Sequence, residues 1–331
     1  MSKNIKYNFL TTDEKERYQK HLTLKEIGYE GQLSLKNSSV LCIGAGGLGS
    51  SVLLYLAAAG IGKIGIVDND YVEKSNLQRQ IIHETNTIGS LKIDSAQERI
   101  KKFNPNSELL TFAERINPKN ALEIIQKFDI ICDCSDNFGT RYLINDACLI
   151  LNKPLVFGSV QGFEGQVSVF NLNKTSPNLR DLLPESPSKN AVPSCAEYGV
   201  VGVSTGLIGI IQVNEIIKII LKKGEVLDGK IMVFDLLNMN TKKLHLKSDQ
   251  VNKQIKNLSK FMDYYSDDEC STENKKINRI NAYDFISLYK IKPNEILLID
   301  VRENEEFSAS AIEGSISLPL SHLNQKPDLE F

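Results

Sequence analysis

Residues 39–80 constrain the fold of this chain more tightly than any other stretch. An apolar strand, Val40 to Ile43, runs into Gly44-Ala45-Gly46-Gly47-Leu48-Gly49, a helical pattern follows, and a second strand ends in Asp68-Asn69-Asp70. Strand, glycine turn and helix in immediate succession open a βαβ unit, and such units build parallel sheets covered by helices. The glycines have distinct tasks. Gly44 permits the tight turn, Gly46 and Gly47 let backbone approach a phosphate, and Gly49 lets the helix pack on the strand. The free N–H groups of the helix N-terminus then face an anion. Asp68, an acid about 20 residues past the turn, is placed to accept from ribose hydroxyls, with Asp70 beside it. A GxGxxG alone is weak; strand, helix and acid in register give this one the context of a nucleotide site.

The residues after the second strand select the nucleotide. Ser75-Asn76-Leu77-Gln78-Arg79-Gln80 supplies amides and a guanidinium, and Lys92 opens the next helix. A dinucleotide's pyrophosphate is largely satisfied by the helix end, whereas a triphosphate carries more charge and calls for Arg, Lys and Mg²⁺. The chain therefore reads as ATP-using. An NAD-dependent oxidoreductase is the alternative, resting on the same loop and Asp68. Arg79 and Lys92 count against it, as do 4 histidines with no evident proton donor among them.

With 331 residues, 41% hydrophobic and 24% charged, the chain has room for one large domain and a smaller one. Its net charge of −2 gives no global reason for nucleic-acid or membrane binding. No apolar secretory segment follows Met1, so a cytoplasmic location is expected. The longest apolar run, Val200 to Leu221, could span a bilayer by length, but Gln212, Asn214, Glu215 and Lys218 interrupt it. A helix buried in the core or at a dimer interface is expected there. The 6 cysteines, Cys42, Cys132, Cys134, Cys148, Cys195 and Cys270, form no CxxC pair, so structural zinc is not expected. Cys132 and Cys134 share a strand face, where buried free thiols are the expectation.

Strand and helix patterns alternate: strand 39–43, helix 47–59, strand 63–67, helix 89–103, strand 108–112, helix 118–127, strand 129–133, helix 139–151. This predicts a Rossmann-like, doubly wound, mainly parallel α/β sheet. Strands Pro154 to Val160 and Gly165 to Phe170, then Lys230 to Leu236 and Thr241 to Leu246, continue it with antiparallel pairs, separated by a long loop over 171–193 and the apolar helix. Residues 247–276 lose periodicity and read as a polar linker before a small βα segment from 277. The domains expected are 1–246, the linker 247–276, and 277–331.

The ordered set GAGGLG, Asp68 to Asp70, SNLQRQ, Asp133-Cys134-Ser135-Asp136-Asn137, and Cys195 ahead of an apolar helix resembles the MoeB/ThiF/HesA adenylyltransferases, relatives of ubiquitin-activating enzymes, over about residues 10–246. The resemblance implies ATP-dependent adenylation of the C-terminal glycine carboxylate of a small ubiquitin-fold sulfur carrier ending in Gly-Gly, with release of pyrophosphate. A carboxylate attacking a phosphate brings two anions together, so neutralising charge is the main catalytic demand. Arg79, Lys92 and Mg²⁺ would meet it. Asp136, just past a strand's C-terminal end, matches the family's essential acid and would position Mg²⁺ or the reacting phosphate; capping the following helix is its other reading. Arg17, in Glu16-Arg17-Tyr18-Gln19-Lys20-His21, matches an arginine that reaches the nucleotide of the neighbouring subunit, implying a homodimer; a solvated helix charge is the alternative. Lys20 stands where the family more often has Arg.

Cys195 aligns with a family cysteine proposed for thioester or persulfide steps, against which stands a dispensable thiol, since adenylation needs no thiol nucleophile. Two departures from the family pattern follow. Its zinc-binding CxxC pairs are absent, the first falling where this chain reads Pro177 to Leu182, and Leu91 replaces the proline usual before Lys92. Ile296 to Arg302, Glu306-Phe307, Glu313-Gly314 and Leu318-Pro319 resemble the start of a rhodanese domain, with Ser310-Ala311-Ile312 at the usual GHI. No Cys follows Cys270, so sulfurtransferase activity is not expected of this segment. A carrier like the small molybdopterin-synthase subunit, in molybdenum cofactor biosynthesis, is the leading expectation. A ThiS-like carrier is the alternative, and a cysteine desulfurase or other protein would donate sulfur. A non-catalytic scaffold that only binds a carrier is the remaining class, against which Arg79, Lys92 and Asp136 speak.

Overall fold

The computed structural model describes residues 7–184, 199–258, 265, 280, 282–291 and 296–319. The chain forms two compact units, Met1–Glu269 and Cys270–Phe331. In the first, β1 (Ser39–Ile43), β2 (Lys63–Val67), β3 (Glu108–Phe112), β4 (Ile130–Asp133), β5 (Leu155–Gln161), β6 (Glu164–Phe170), β7 (Lys230–Asp235) and β8 (Asn240–His245) form one 8-stranded sheet in the order β3-β2-β1-β4-β5-β6-β7-β8. The β3 to β5 half is parallel and β5 to β8 antiparallel. This is the doubly wound sheet with an antiparallel continuation that the residue patterns predict.

The reason lies in burial. Every residue of β1 and β4 is buried, which suits strands covered by helices on both faces. Along β1, Val40 and Cys42 join one apolar layer with Val52 and Leu56 of helix Gly47–Ala59, and with Ile208 and Ile216 of helix Gly202–Leu221. Leu41 and Ile43 join the other, with Tyr142 and Ile144 of helix Phe138–Leu151. The period-two alternation of a strand feeds both layers. At the far edge β8 is exposed throughout and carries Lys242 and Lys243, side chains that discourage edge-to-edge pairing.

Chain order reverses beside β1, which lies between β2 and β4, so a crevice opens at the strands' C-terminal ends. The long apolar helix, Gly202–Leu221, is a core helix: Gln212 and Glu215 are buried, and Glu215 accepts from the Leu227 amide at 2.9 Å. It approaches helix Gly47–Ala59 so closely that a Cβ on Gly209 would sit 2.1 Å from Ser51 Oγ.

Three differences from the predicted pattern have local causes. The helix expected from 89 starts at Lys92, because Gly89 and Ser90 are engaged in backbone bonds with Val72. Short helices Thr12–Arg17, Gln19–Thr23 and Gly28–Lys36 precede β1; the first is closed by a Thr11/Glu14 capping box. The stretch read as a polar linker from 247 is in part bound to the domain, since Ile255, Leu258 and Tyr265 are buried. In the second unit, β9 (Ile299–Asp300) and β10 (Ile316–Ser317) pair in parallel, beside helices Ala282–Ile291 and Asn304–Ala309.

Candidate nucleotide site

A cleft of about 390 Å³ opens where β1, β2 and β4 end, and Gly44, Gly46, Gly47, Asp68, Asp70, Arg79, Lys92 and Asp136 all line it. The glycine turn is built on steric grounds. Gly44 has φ +101°, and a Cβ there would lie 2.7 Å from the Cys134 carbonyl oxygen. Gly49 does not line the cleft; its Cβ would fall 2.0 Å from the Gly44 carbonyl oxygen, so this glycine serves helix packing, as its spacing implies. A Cβ on Gly46 would meet only Gln80 Nε2 at 3.6 Å, which leaves this stretch of backbone open to a ligand.

Asp68 is engaged through both carboxylate oxygens. Its Oδ2 accepts from the Ala45 amide at 2.8 Å and its Oδ1 from the Asp70 amide at 2.9 Å, tying the end of β2 to the glycine turn. Burial pushes its carboxyl up, and the two amides oppose that shift. Lys92 is buried, donates to Asp70 Oδ2 at 2.8 Å and has its amide on the Asp70 carbonyl at 2.9 Å, so Asp70 aims the ammonium. Arg79 is half-buried with Nη1 on the Ser75 carbonyl at 3.2 Å. Asp136 lines the same cleft and is exposed. It is not the cap of the following helix; Asn137 is, accepting from the Thr140 amide at 2.8 Å.

Other expected residues fall elsewhere. Asn76 is buried outside the cleft lining, its Oδ1 closing a turn by accepting from the Glu73 amide at 3.1 Å. Its side-chain oxygen is used here for the turn that precedes Arg79. Arg17 is exposed, donates to the Phe103 carbonyl at 3.2 Å and does not line this chain's cleft. Cys195 and Cys270 lie outside the described residues. Cys42, Cys132, Cys134 and Cys148 are buried free thiols, and burial pushes those of Cys132, Cys134 and Cys148 up, away from nucleophilic use. Among the described residues no group of three or more His, Cys, Asp or Glu side chains could hold a metal by itself.

His83 and Arg141 escape sequence reasoning. Buried His83 supports the glycine turn from below, Nε2 at 3.0 Å from the Ala45 carbonyl and Nδ1 at 3.0 Å from Ser95 Oγ; burial holds the imidazole below its ordinary value. Its only sequence signal is proximity to Arg79. Arg141 lies one turn into a helix whose sequence reads as core.

A profile of the ThiF family matches residues 18–255. A protein of Mycobacterium tuberculosis named probable adenylyltransferase/sulfurtransferase MoeZ is 40% identical over 322 residues, covering 95% of this chain and 81% of that one. A Porphyra purpurea protein named probable molybdopterin-synthase adenylyltransferase is 40% identical over 320 residues, with 95% and 81% covered. Among solved structures, that of E. coli MccB with ATP superposes with a TM-score of 0.61 at 22% identity, covering 73% of this chain and 74% of that one, a likeness of fold. With the family model covering most of the chain and relatives 40% identical along nearly all of it, this chain belongs to the ThiF family.

Proposed function

We propose that this adenylyltransferase activates the C-terminal glycine carboxylate of a small ubiquitin-fold sulfur carrier, in molybdenum cofactor biosynthesis, at the expense of ATP. The observation that carries the reading is the convergence of the glycine turn, Asp68, Arg79, Lys92 and Asp136 on one cleft. Family membership removes the oxidoreductase alternative. In the reaction a carboxylate oxygen of the carrier bonds to the α-phosphorus of ATP, the bond from that phosphorus to the bridging oxygen breaks, and pyrophosphate leaves. The glycine turn and helix N-terminus hold phosphate, Asp68 takes the ribose, and Arg79 and Lys92 offset the charge that repels the incoming carboxylate.

Mg²⁺ commonly binds through one or two carboxylates plus substrate phosphates, so the exposed Asp136 suffices on the protein side without a larger ligand cluster. There it would neutralise phosphate charge. The name of the Mycobacterium relative supports the activity, and that of the Porphyra relative the pathway. We place the reaction in the cytoplasm, in a homodimer in which Arg17 serves the partner's site, with a cysteine desulfurase or other donor supplying sulfur to the activated carrier. Cys195 belongs to that later step in this reading, not to adenylation.

Carrier-dependent exchange of labelled pyrophosphate into ATP tests the proposal. Exchange with a carrier of the molybdopterin-synthase type ending in Gly-Gly is expected. Exchange only with a ThiS-like carrier would reassign the pathway, and none with either, from protein that binds ATP, would reject the reading.

A further inference from the structure

The loop bearing Asp136 leaves β4 through Asp133-Cys134-Ser135, and Ser135 is held from several sides. Asp133 Oδ1 accepts from its amide at 2.9 Å and its hydroxyl at 2.6 Å, and Arg141 Nη2 donates to its carbonyl at 3.1 Å. Arg141 is 6% exposed, with its guanidinium 5.5 Å from the Phe138 ring centroid and 5.6 Å from that of Phe157. The Asp133 carbonyl is in turn fixed by Gln212 Nε2 at 2.7 Å.

This is an expensive way to hold a loop. Arg141 Nε and Asp133 Oδ2 are buried without a hydrogen-bond partner, and although the two opposite charges offset each other, a buried ion pair with polar atoms left over stabilises no more than apolar side chains of similar volume. Packing alone would not retain an arginine here. The peptide it grips is the one that joins Ser135 to Asp136, and Arg141 itself lines the cleft.

We infer that Arg141 is a positioning residue: by holding the Ser135 carbonyl it sets the direction in which Asp136 enters the cleft, and with it the catalytic geometry. The inference rests on Asp136 acting in the adenylation proposed above. Misplacing a catalytic group by about 1 Å can cost about 100-fold in rate, without a matching change in substrate binding.

Two readouts on the full chain test it. Hydrogen exchange, without nucleotide or carrier, is expected to run about tenfold faster at the amides of 135–137 in Arg141→Met, with 44–49 and 68–70 unchanged. In pyrophosphate exchange, kcat is expected to fall about 100-fold with the ATP KM within about threefold of wild type. Arg141→Lys keeps the buried charge but loses the planar fork; it is expected to show about threefold faster loop exchange and about tenfold lower kcat, half of each effect in free energy, and it decides the matter if the Met variant does not fold. Wild-type loop exchange and kcat in the folded variant, or faster exchange across the whole unit with a raised KM, would overturn the inference. If wild-type protein catalyses no carrier-dependent exchange, the adenylation reading falls by itself, and the amides of 135–137 still decide whether Arg141 sets the loop.

Discussion

Asp136 stands apart from the other carboxylates of the cleft. Asp68 is occupied by two amides, Asp70 by Lys92 and Glu114 by Asn120 Nδ2 at 2.6 Å, whereas among the described residues Asp136 meets only its neighbour Asn137, at 3.4 Å, and stays exposed. An exposed carboxylate in a cleft shared with a glycine turn is available for a cation that bridges to phosphate; a tied one shapes the site. Asp136→Ala is therefore expected to reduce pyrophosphate exchange at least about 1000-fold while thermal unfolding stays within a few degrees, because no buried partner loses a bond. Arg79→Ala, which in the proposed reading removes a charge-assisted bond to phosphate, is expected to raise the ATP KM by about 10–100-fold. Either variant at wild-type exchange rates would remove that residue from the site. The charged residues were legible because their type and spacing already state a demand for phosphate. His83 and Arg141 were not, since each acts on a backbone carbonyl made available by the fold, and a carbonyl leaves no mark in a sequence.

At the scale of elements, segments whose composition looks idle turn out to be fastened. Where the family resemblance would put a CxxC pair, Asn178 caps the short helix Leu179–Leu182, and Asp181 accepts from the Asp249 amide at 2.9 Å and from Asn252 Nδ2 at 2.8 Å. Behind this clasp Arg180 forms a two-pronged pair with Asp146, at 3.0 and 2.6 Å, and the Tyr265 hydroxyl donates to Asp146 Oδ2 at 2.7 Å. Burial and the adjacent carboxylate push that hydroxyl up, so it remains a donor. Arg180→Met would leave a buried Asp146 uncompensated, at a cost of about 3–5 kcal/mol, and Tyr265→Phe removes one bond to a charged acceptor, about 1.5–3 kcal/mol. Urea unfolding of the full chain checks both; losses below about 1 kcal/mol would show the cluster to be surface decoration. The strands were legible because continuous apolar runs need no partner to be recognised. The 247–258 segment was not, because Asp249 and Asn252 look like solvated linker residues until the turn they bind is known.

For the whole molecule, the open question is how many chains make one working site. The cleft assembles from residues 43–205 of a single chain, yet Arg17, which the family likeness assigns to nucleotide binding, lies outside its lining. Helix Gly202–Leu221 meanwhile leaves Val203 75% and Ile210 38% exposed, two turns apart on one face, apolar surface that a second copy would cover. In the proposed homodimer Arg17 would reach the partner's cleft, and mixing variants distinguishes this from action within one chain. Arg17→Ala and Asp136→Ala are each expected to be inactive alone. Unfolded together in equal amounts and refolded, half the dimers would be mixed, and each mixed dimer would have one site with both residues intact. About a quarter of wild-type exchange activity should return. If Arg17 acted on its own chain's nucleotide, every chain in the mixture would still lack one of the two residues, and no activity would return at any ratio. Activity in Arg17→Ala alone would instead leave Arg17 as a helix-end charge resting on the Phe103 carbonyl.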